Sequence, residues 1–179
     1  GAFFDSIDPS RQLTVTGTVE HAAPGAVGAG VGFDGGSGRL LLDTADFGFA
    51  GTASMTIEAW ARTTAETEFQ DIVGKWHSDP PNDSGWALRW RPTVEGVQYG
   101  WFFSRAAAMV SRNMRGYETP DVFAHIVMTF DGVRSLFFVN GEQVDMQANA
   151  SDVVLPATTA PFRVGGLETG NAFRGTLDE

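Results

Sequence analysis

The strongest constraint on this chain is its cadence: short segments of strand character, cut at close intervals by turn residues. Residues 130–145, FDGVRSLFFVNGEQVD, show it most compactly, with Asp131-Gly132 and Asn140-Gly141 bracketing the run Val133–Val139. A two-residue type I′ hairpin needs φ > 0 at both centres, and Asn-Gly meets that need at the least steric cost. Upstream, Met55–Arg62 sets Met55, Ile57, Ala59 and Ala61 against Thr56, Glu58, Trp60 and Arg62, the period of two that a strand imposes. Gln12–Val19, Gln70–Trp76, Gly85–Arg91, Val97–Ser104, Ala124–Phe130, Ser135–Val139, Phe162–Gly166 and Phe173–Leu177 are further candidates, rich in β-branched or aromatic residues and bounded by Gly, Pro, Asn or Asp. With 22 Gly and 14 Phe in 179 residues, this cadence predicts an all-β fold, a two-sheet antiparallel β-sandwich of jelly-roll type.

Two stretches complicate the pattern. Arg105–Arg115 contains helix-favouring Ala, Met and Arg but shows no helical periodicity, so a strand or an irregular connection is expected there. Ala124–Met128 and Leu136–Val139 carry large apolar groups on both alternations. Their second face either lines a groove or is extra core under a covering loop.

A hydrophobic share of 42% supports a real core, and the length fits one domain over residues 1–179. Twenty-two acidic residues against 12 basic ones give a net charge of −10, which repels a polyphosphate backbone and anionic membrane surfaces. Nucleic acid is therefore excluded as a partner. No stretch approaches eighteen consecutive apolar residues, so membrane insertion is not expected. Without cysteine there is no disulfide, thiolate metal site or Cys nucleophile. The sequence opens at Gly1 with no basic-then-apolar leader, which is the expectation for a mature or excised fragment.

Catalytic signatures find no support. Gly30, Gly32 and Gly35 match G-x-G-x-x-G in spacing, but a strand-like Arg39–Leu42 follows where a helix N-terminus would have to receive a pyrophosphate. His21, His77 and His125 stand far apart, no G-x-S-x-G elbow occurs, and no E-x-D-x-x-E arrangement sets paired carboxylates on one strand face. The expectation is a protein that is not an enzyme. The densest polar-aromatic stretch is Trp76–Trp90, WHSDPPNDSGWALRW. Its Trp76, His77, Asp79, Asn82, Asp83 and Trp86 form the candidate ligand site, because indoles stack on sugar C–H faces while Asp and Asn bond to hydroxyls. Against that, Trp86, Leu88 and Trp90 alternate as core residues do.

Seven segments, in order, resemble the laminin-G-like domains of the concanavalin A-like lectin/glucanase superfamily. Val31–Gly35 is similar to the early "F-D-G" strand, and Ser54–Trp60 to "S-F-T-I-E-A-W". Ile72–Lys75 followed by Gly85–Arg89 resembles "I-V-S-K … G-Y-x-L-R", and Phe123–Gly132 resembles "W-H-H-V-A-x-T-Y-D-G". Phe138–Gly141, Arg163–Gly166 and Phe173–Glu179 resemble the closing "Y-V-N-G", "R-I-G-G" and "F-x-G-x-I-D-E".

The resemblance implies a jelly roll and a non-catalytic binding or adhesion module that recognises carbohydrate or a protein surface, outside the cell, on its surface or on a virion. A structural assembly or decoration domain is the alternative, and a glycoside hydrolase or polysaccharide lyase a third; oligomeric state is left open. The family continues past "D-E" with another hydrophobic stretch, whereas this sequence stops at Glu179. The expectation is a fragment of a longer protein, either truncated in its last strand or left with an edge that can pair with another chain. The resemblance also implies that Asp34 and Asp178 approach each other on neighbouring strands. A structural Ca²⁺ between them would relieve their repulsion; the plainer expectation is a solvated or hydrogen-bonded Asp.

Overall fold

The computed structural model describes residues 3–4, 8–44, 47, 54–64, 69–77, 84–93, 96–105, 108–114, 120–148, 157–167 and 170–179, with backbone alone for 4, 93, 96–98, 101–105 and 108–114. The described strands are β1 (Phe3–Phe4), β2 (Gln12–Thr16), β3 (Val19–Pro24), β4 (Ala29–Asp34), β5 (Arg39–Leu42), β6 (Met55–Thr63), β7 (Gln70–His77) and β8 (Ser84–Thr93). They continue with β9 (Gly96–Arg105), β10 (Ala108–Met114), β11 (Ala124–Phe130), β12 (Arg134–Val139), β13 (Glu142–Ala148), β14 (Phe162–Val164) and β15 (Arg174–Asp178). An eight-stranded sheet, β1-β2-β5-β14-β7-β8-β9-β10, faces a seven-stranded sheet, β13-β12-β11-β6-β15-β4-β3, and the described strands pair antiparallel. This is the sandwich that the cadence predicts.

Period-two patterning builds the core. Met55, Ala59 and Ala61 of β6 and Ala124, Ile126, Met128 and Phe130 of β11 turn inward from one sheet. Leu40, Ile72, Trp86, Leu88, Trp90 and Tyr99 meet them from the other. Each large side chain fully buried this way stabilises the fold by about 1.5–3 kcal/mol. The second alternation of β11 and β12 is half-buried, so Val127, Leu136 and Phe138 stand on the outer face of the seven-stranded sheet rather than in extra core.

Turn chemistry falls where the residues require it. Asn140 and Gly141 have φ of 51° and 83°, the two positive values of a type I′ turn, and β12 and β13 leave it as a hairpin. Asn140 also fastens the turn to β11, accepting the His125 N–H at 2.9 Å and donating to the His125 carbonyl at 2.8 Å. At the other end of β12, the exposed Asp131 carboxylate accepts N–H bonds from Arg134 and Val133, which hold its pKa below the ordinary value.

Three sequence readings shift. Gln12–Val19 is not one strand: Gly17, at φ 64°, separates β2 from β3, which belong to different sheets. Arg105–Arg115 yields strand β10, paired along its length with β9. β13 (EQVDMQA), a strand beyond the sequence candidates, sets Val144, Met146 and Ala148 against Asp145 and Gln147, and as an edge strand it is exposed along most of its length.

Candidate functional site

The tryptophans of the predicted ligand site belong to the interior. Trp86 is 2% exposed and donates Nε1–H to the Phe47 carbonyl at 2.9 Å. Beside it across β7 and β8 sits Lys75, fully buried, with its amine on the Thr44 carbonyl. Trp76 points to the opposite face of the sheet but is buried too, because the chain after β14 folds back and packs Leu167 against Trp76 and Ala87. Arg39 and Arg163 secure that covering layer and its sheet, donating to the carbonyls of Leu167 (3.2 Å) and Trp76 (3.1 Å). Trp76 and Trp86 are therefore corrected from ligand contacts to core: strands covered on both faces carry large apolar groups on both alternations. His77 is exposed at the end of β7, while Asp79, Asn82 and Asp83 lie outside the described residues.

On the same outer face, Asp71 is fully buried and bonded to Arg89 at 2.6 Å. Burial pushes its carboxyl above the ordinary carboxylate range, against the pull of Arg89, Asn171 and Arg39. Phe69, an exposed aromatic, lies 5.7 Å from the Arg89 guanidinium and 6.0 Å from that of Arg91.

Asp34 and Asp178 do lie on paired strands, but the register keeps them apart. Asp34 sits opposite Arg174 at one end of the β4–β15 ladder, whereas Asp178 continues beyond the Leu177–Val31 pair at the other. Asp178 accepts the Val27 N–H at 2.9 Å and the Glu179 N–H at 3.1 Å; Asp34 accepts the Gly36 N–H at 2.8 Å. Being held at opposite ends of the ladder, the two carboxylates are not placed to share a cation. Among the described residues no group of three or more His, Asp or Glu is placed to hold a metal.

What the register does assemble is a polar pocket on the outer face of the seven-stranded sheet. One transverse row runs Glu20 (β3), Gly32 (β4), Thr176 (β15), Arg62 (β6). Beside it, Asp34 (β4) stands opposite Arg174 (β15), whose carbonyl accepts the Thr64 N–H at 3.0 Å. A cavity of about 310 Å³ opens between the rows, walled by Thr18, Glu20, Asp34, Arg62, Thr64 and Thr176. Gly32, in mid-strand, forms part of the floor and leaves room for the Glu20 side chain, which would lie 3.0 Å from a Cβ there.

The pocket's groups are only partly spent on one another. Arg62 donates to Thr176 Oγ1 at 3.1 Å and its guanidinium lies 5.0 Å over the Phe123 ring. Its Nε is shielded from solvent and has no hydrogen-bond partner among the described residues. Among those residues Glu20 makes no hydrogen bond or ion pair, and Asp34 has only the bond from Gly36. Beneath, the buried Gln70 accepts the Arg174 N–H at 2.6 Å and donates to Thr63 Oγ1 at 3.4 Å, tying β15 to β6 under the pocket.

Two larger cavities of about 440 Å³ each lie between the sheets on either side of Leu177 and Val164. Core side chains such as Ile72, Val73, Leu13 and Leu40 line them, with few polar groups. They suit apolar contents, not a hydroxylated ligand.

A family model described as the concanavalin A-like lectin/glucanases superfamily matches residues 34–179. Among curated proteins no sequence matches. Solved structures share the fold at low identity. Domain 4 of AbnA, a GH43 extracellular arabinanase from Geobacillus stearothermophilus in complex with arabinotriose, aligns with a TM-score of 0.70 at 16% identity, over 93% of this chain and 79% of that one. The binding domain of Paraclostridial Mosquitocidal Protein 1 aligns at 0.73 and 14% identity over 97% of this chain, which spans 45% of that one. The Ruminococcus gnavus IT-sialidase CBM40 bound to α2,3-sialyllactose aligns at 0.60 and 16%, over 83% and 85%.

Proposed function

Because the chain belongs to the concanavalin A-like lectin/glucanases superfamily, we propose that it is a non-catalytic module that binds carbohydrate through the pocket between β3, β4, β15 and β6. The observation that carries this reading is a cavity ringed by hydroxyls and carboxylates that leave hydrogen-bonding capacity for a ligand. A sugar presents many donors and acceptors in a small volume, and a site that matches them discriminates strongly, since each unmatched buried polar group carries a desolvation cost. About 310 Å³ lies at the small end of ligand sites, the scale of one or two sugar residues in a longer chain. The structural relatives that hold arabinotriose and sialyllactose support the use of this scaffold for glycans. Attachment to surface or extracellular glycans would place the module outside the cell.

The test is a glycan array followed by calorimetry on the wild type and on Glu20→Gln. Saturable binding that the substitution weakens supports the reading; no binding to any glycan removes it.

A second reading, a structural or adhesive domain acting on a protein surface, is favoured by the outer face of β11–β13. Val127, Leu136 and Phe138 are half-exposed there, and Val144 and Met146 are exposed. Light scattering across a concentration series tests it: an assembly that Met146→Glu disperses supports this reading, and a monomer throughout opposes self-assembly.

A further inference from the structure

We infer that the pocket selects neutral sugars that present two adjacent free hydroxyls, and rejects sugars that carry a carboxylate. The inference rests on the carbohydrate-binding reading above and gives that site its ligand class.

Three features of the pocket converge on it. First, the carboxylates of Glu20 and Asp34 face the pocket with one hydrogen bond between them, from the Gly36 N–H to Asp34. Ionised carboxylates are acceptors only, so they need donors from the ligand. Vicinal hydroxyls supply two O–H donors at a spacing that one carboxylate can accept together. Second, the cation in the wall is already engaged. Arg62 gives Nη2 to Thr176 and lays its guanidinium on Phe123, and its Nε is closed to solvent. Arg174, on the neighbouring row, is exposed but does not line the pocket. The guanidinium in the wall is therefore not presented as the open fork that a bidentate carboxylate contact requires. Third, the chain as a whole carries −10, so an acidic glycan approaches against the field and then meets two carboxylates at the rim.

The floor contributes shape. Gly32 has Glu20 on one side and Thr176 on the other, and its missing Cβ lets the Glu20 side chain lie across the floor between the strands. The Thr18 and Thr64 hydroxyls at the margin can donate or accept, which leaves the carboxylates to decide charge selection.

The experiment compares neutral glycans with sialylated and uronic-acid-containing ones on one array, using the wild-type chain, Glu20→Gln and Asp34→Asn. Both substitutions are isosteric and lie at exposed positions, and matched thermal melts verify that each variant is folded. The expected result is binding confined to neutral glycans. Each substitution should weaken it about tenfold to a hundredfold, the worth of one charge-assisted hydrogen bond. Preferential binding of sialylated or uronic glycans overturns the inference and leaves the carbohydrate-binding reading in place. Neutral-glycan binding that neither substitution affects overturns the assignment to this pocket. No binding to any glycan overturns both.

Discussion

The β7–β8 ladder and the β3–β4–β15–β6 face make opposite use of polar and aromatic residues. In the first, tryptophans cluster within fifteen residues of sequence and are buried on both faces of the sheet. In the second, chemically ordinary residues on four strands border a cavity walled mainly by hydrogen-bonding side chains. Dense aromatic sequence therefore marks packing here, and a glycine opposite an acid marks the proposed pocket. The physical reason is burial: indoles that anchor a core have no surface left for a ligand.

The contrast can be attacked directly. The largest expected effect is on stability: Trp86→Ala should cost about 3–5 kcal/mol, through lost transfer energy and the cavity left behind. Denaturant titration measures it, and in the surviving folded fraction glycan affinity should be unchanged. A variant that keeps full stability but loses affinity would return the ligand site to the tryptophans. Next comes Gly32→Ala, which pushes against Glu20 and should reduce neutral-glycan affinity about tenfold, one misplaced hydrogen bond, while moving the thermal midpoint by only a few degrees. Calorimetry on the two proteins decides it.

A finer comparison lies inside the core. Trp86 donates to Phe47, whereas Trp90, 1% exposed, has no partner for Nε1 among the described residues. Replacing each by Phe should therefore cost about 1 kcal/mol more at Trp86 than at Trp90, the net worth of one hydrogen bond. Equal costs would mean that the Phe47 contact adds nothing.

The smallest effect is in pH dependence. Asp71 is held above its ordinary value of 3.8 by burial. A raised carboxyl favours the protonated folded state, so its contribution is fully present below 3.8 and is lost as pH rises through the folded value. The wild type should accordingly gain stability relative to Asp71→Asn as pH falls from neutrality. Parallel stability–pH curves for the two proteins would contradict the assignment.

Most of the fold was legible because it is written locally. Met55–Thr63 and Ala124–Phe130 alternate over a full strand, and Asn140-Gly141 specifies its own turn. β13 carries only a short alternation, Val144, Met146 and Ala148, on an exposed edge, and the turn before it was the clearer sign of a hairpin. The site was not legible. Glu20, Gly32, Arg62 and Thr176 span most of the chain, and only the register of four strands brings them into one row. The same register undid the pairing of Asp34 with Asp178, since strand adjacency fixes neighbours but not which ends meet.

The Gln70 brace has a consequence for the tempo of recognition. Because one buried amide braces β6 against β15 under the proposed pocket, the two rows are held at their spacing before any ligand arrives. Little backbone freedom is then left to lose on association, and encounter is governed by diffusion and orientation. Affinity differences among glycans should appear in how long each one stays.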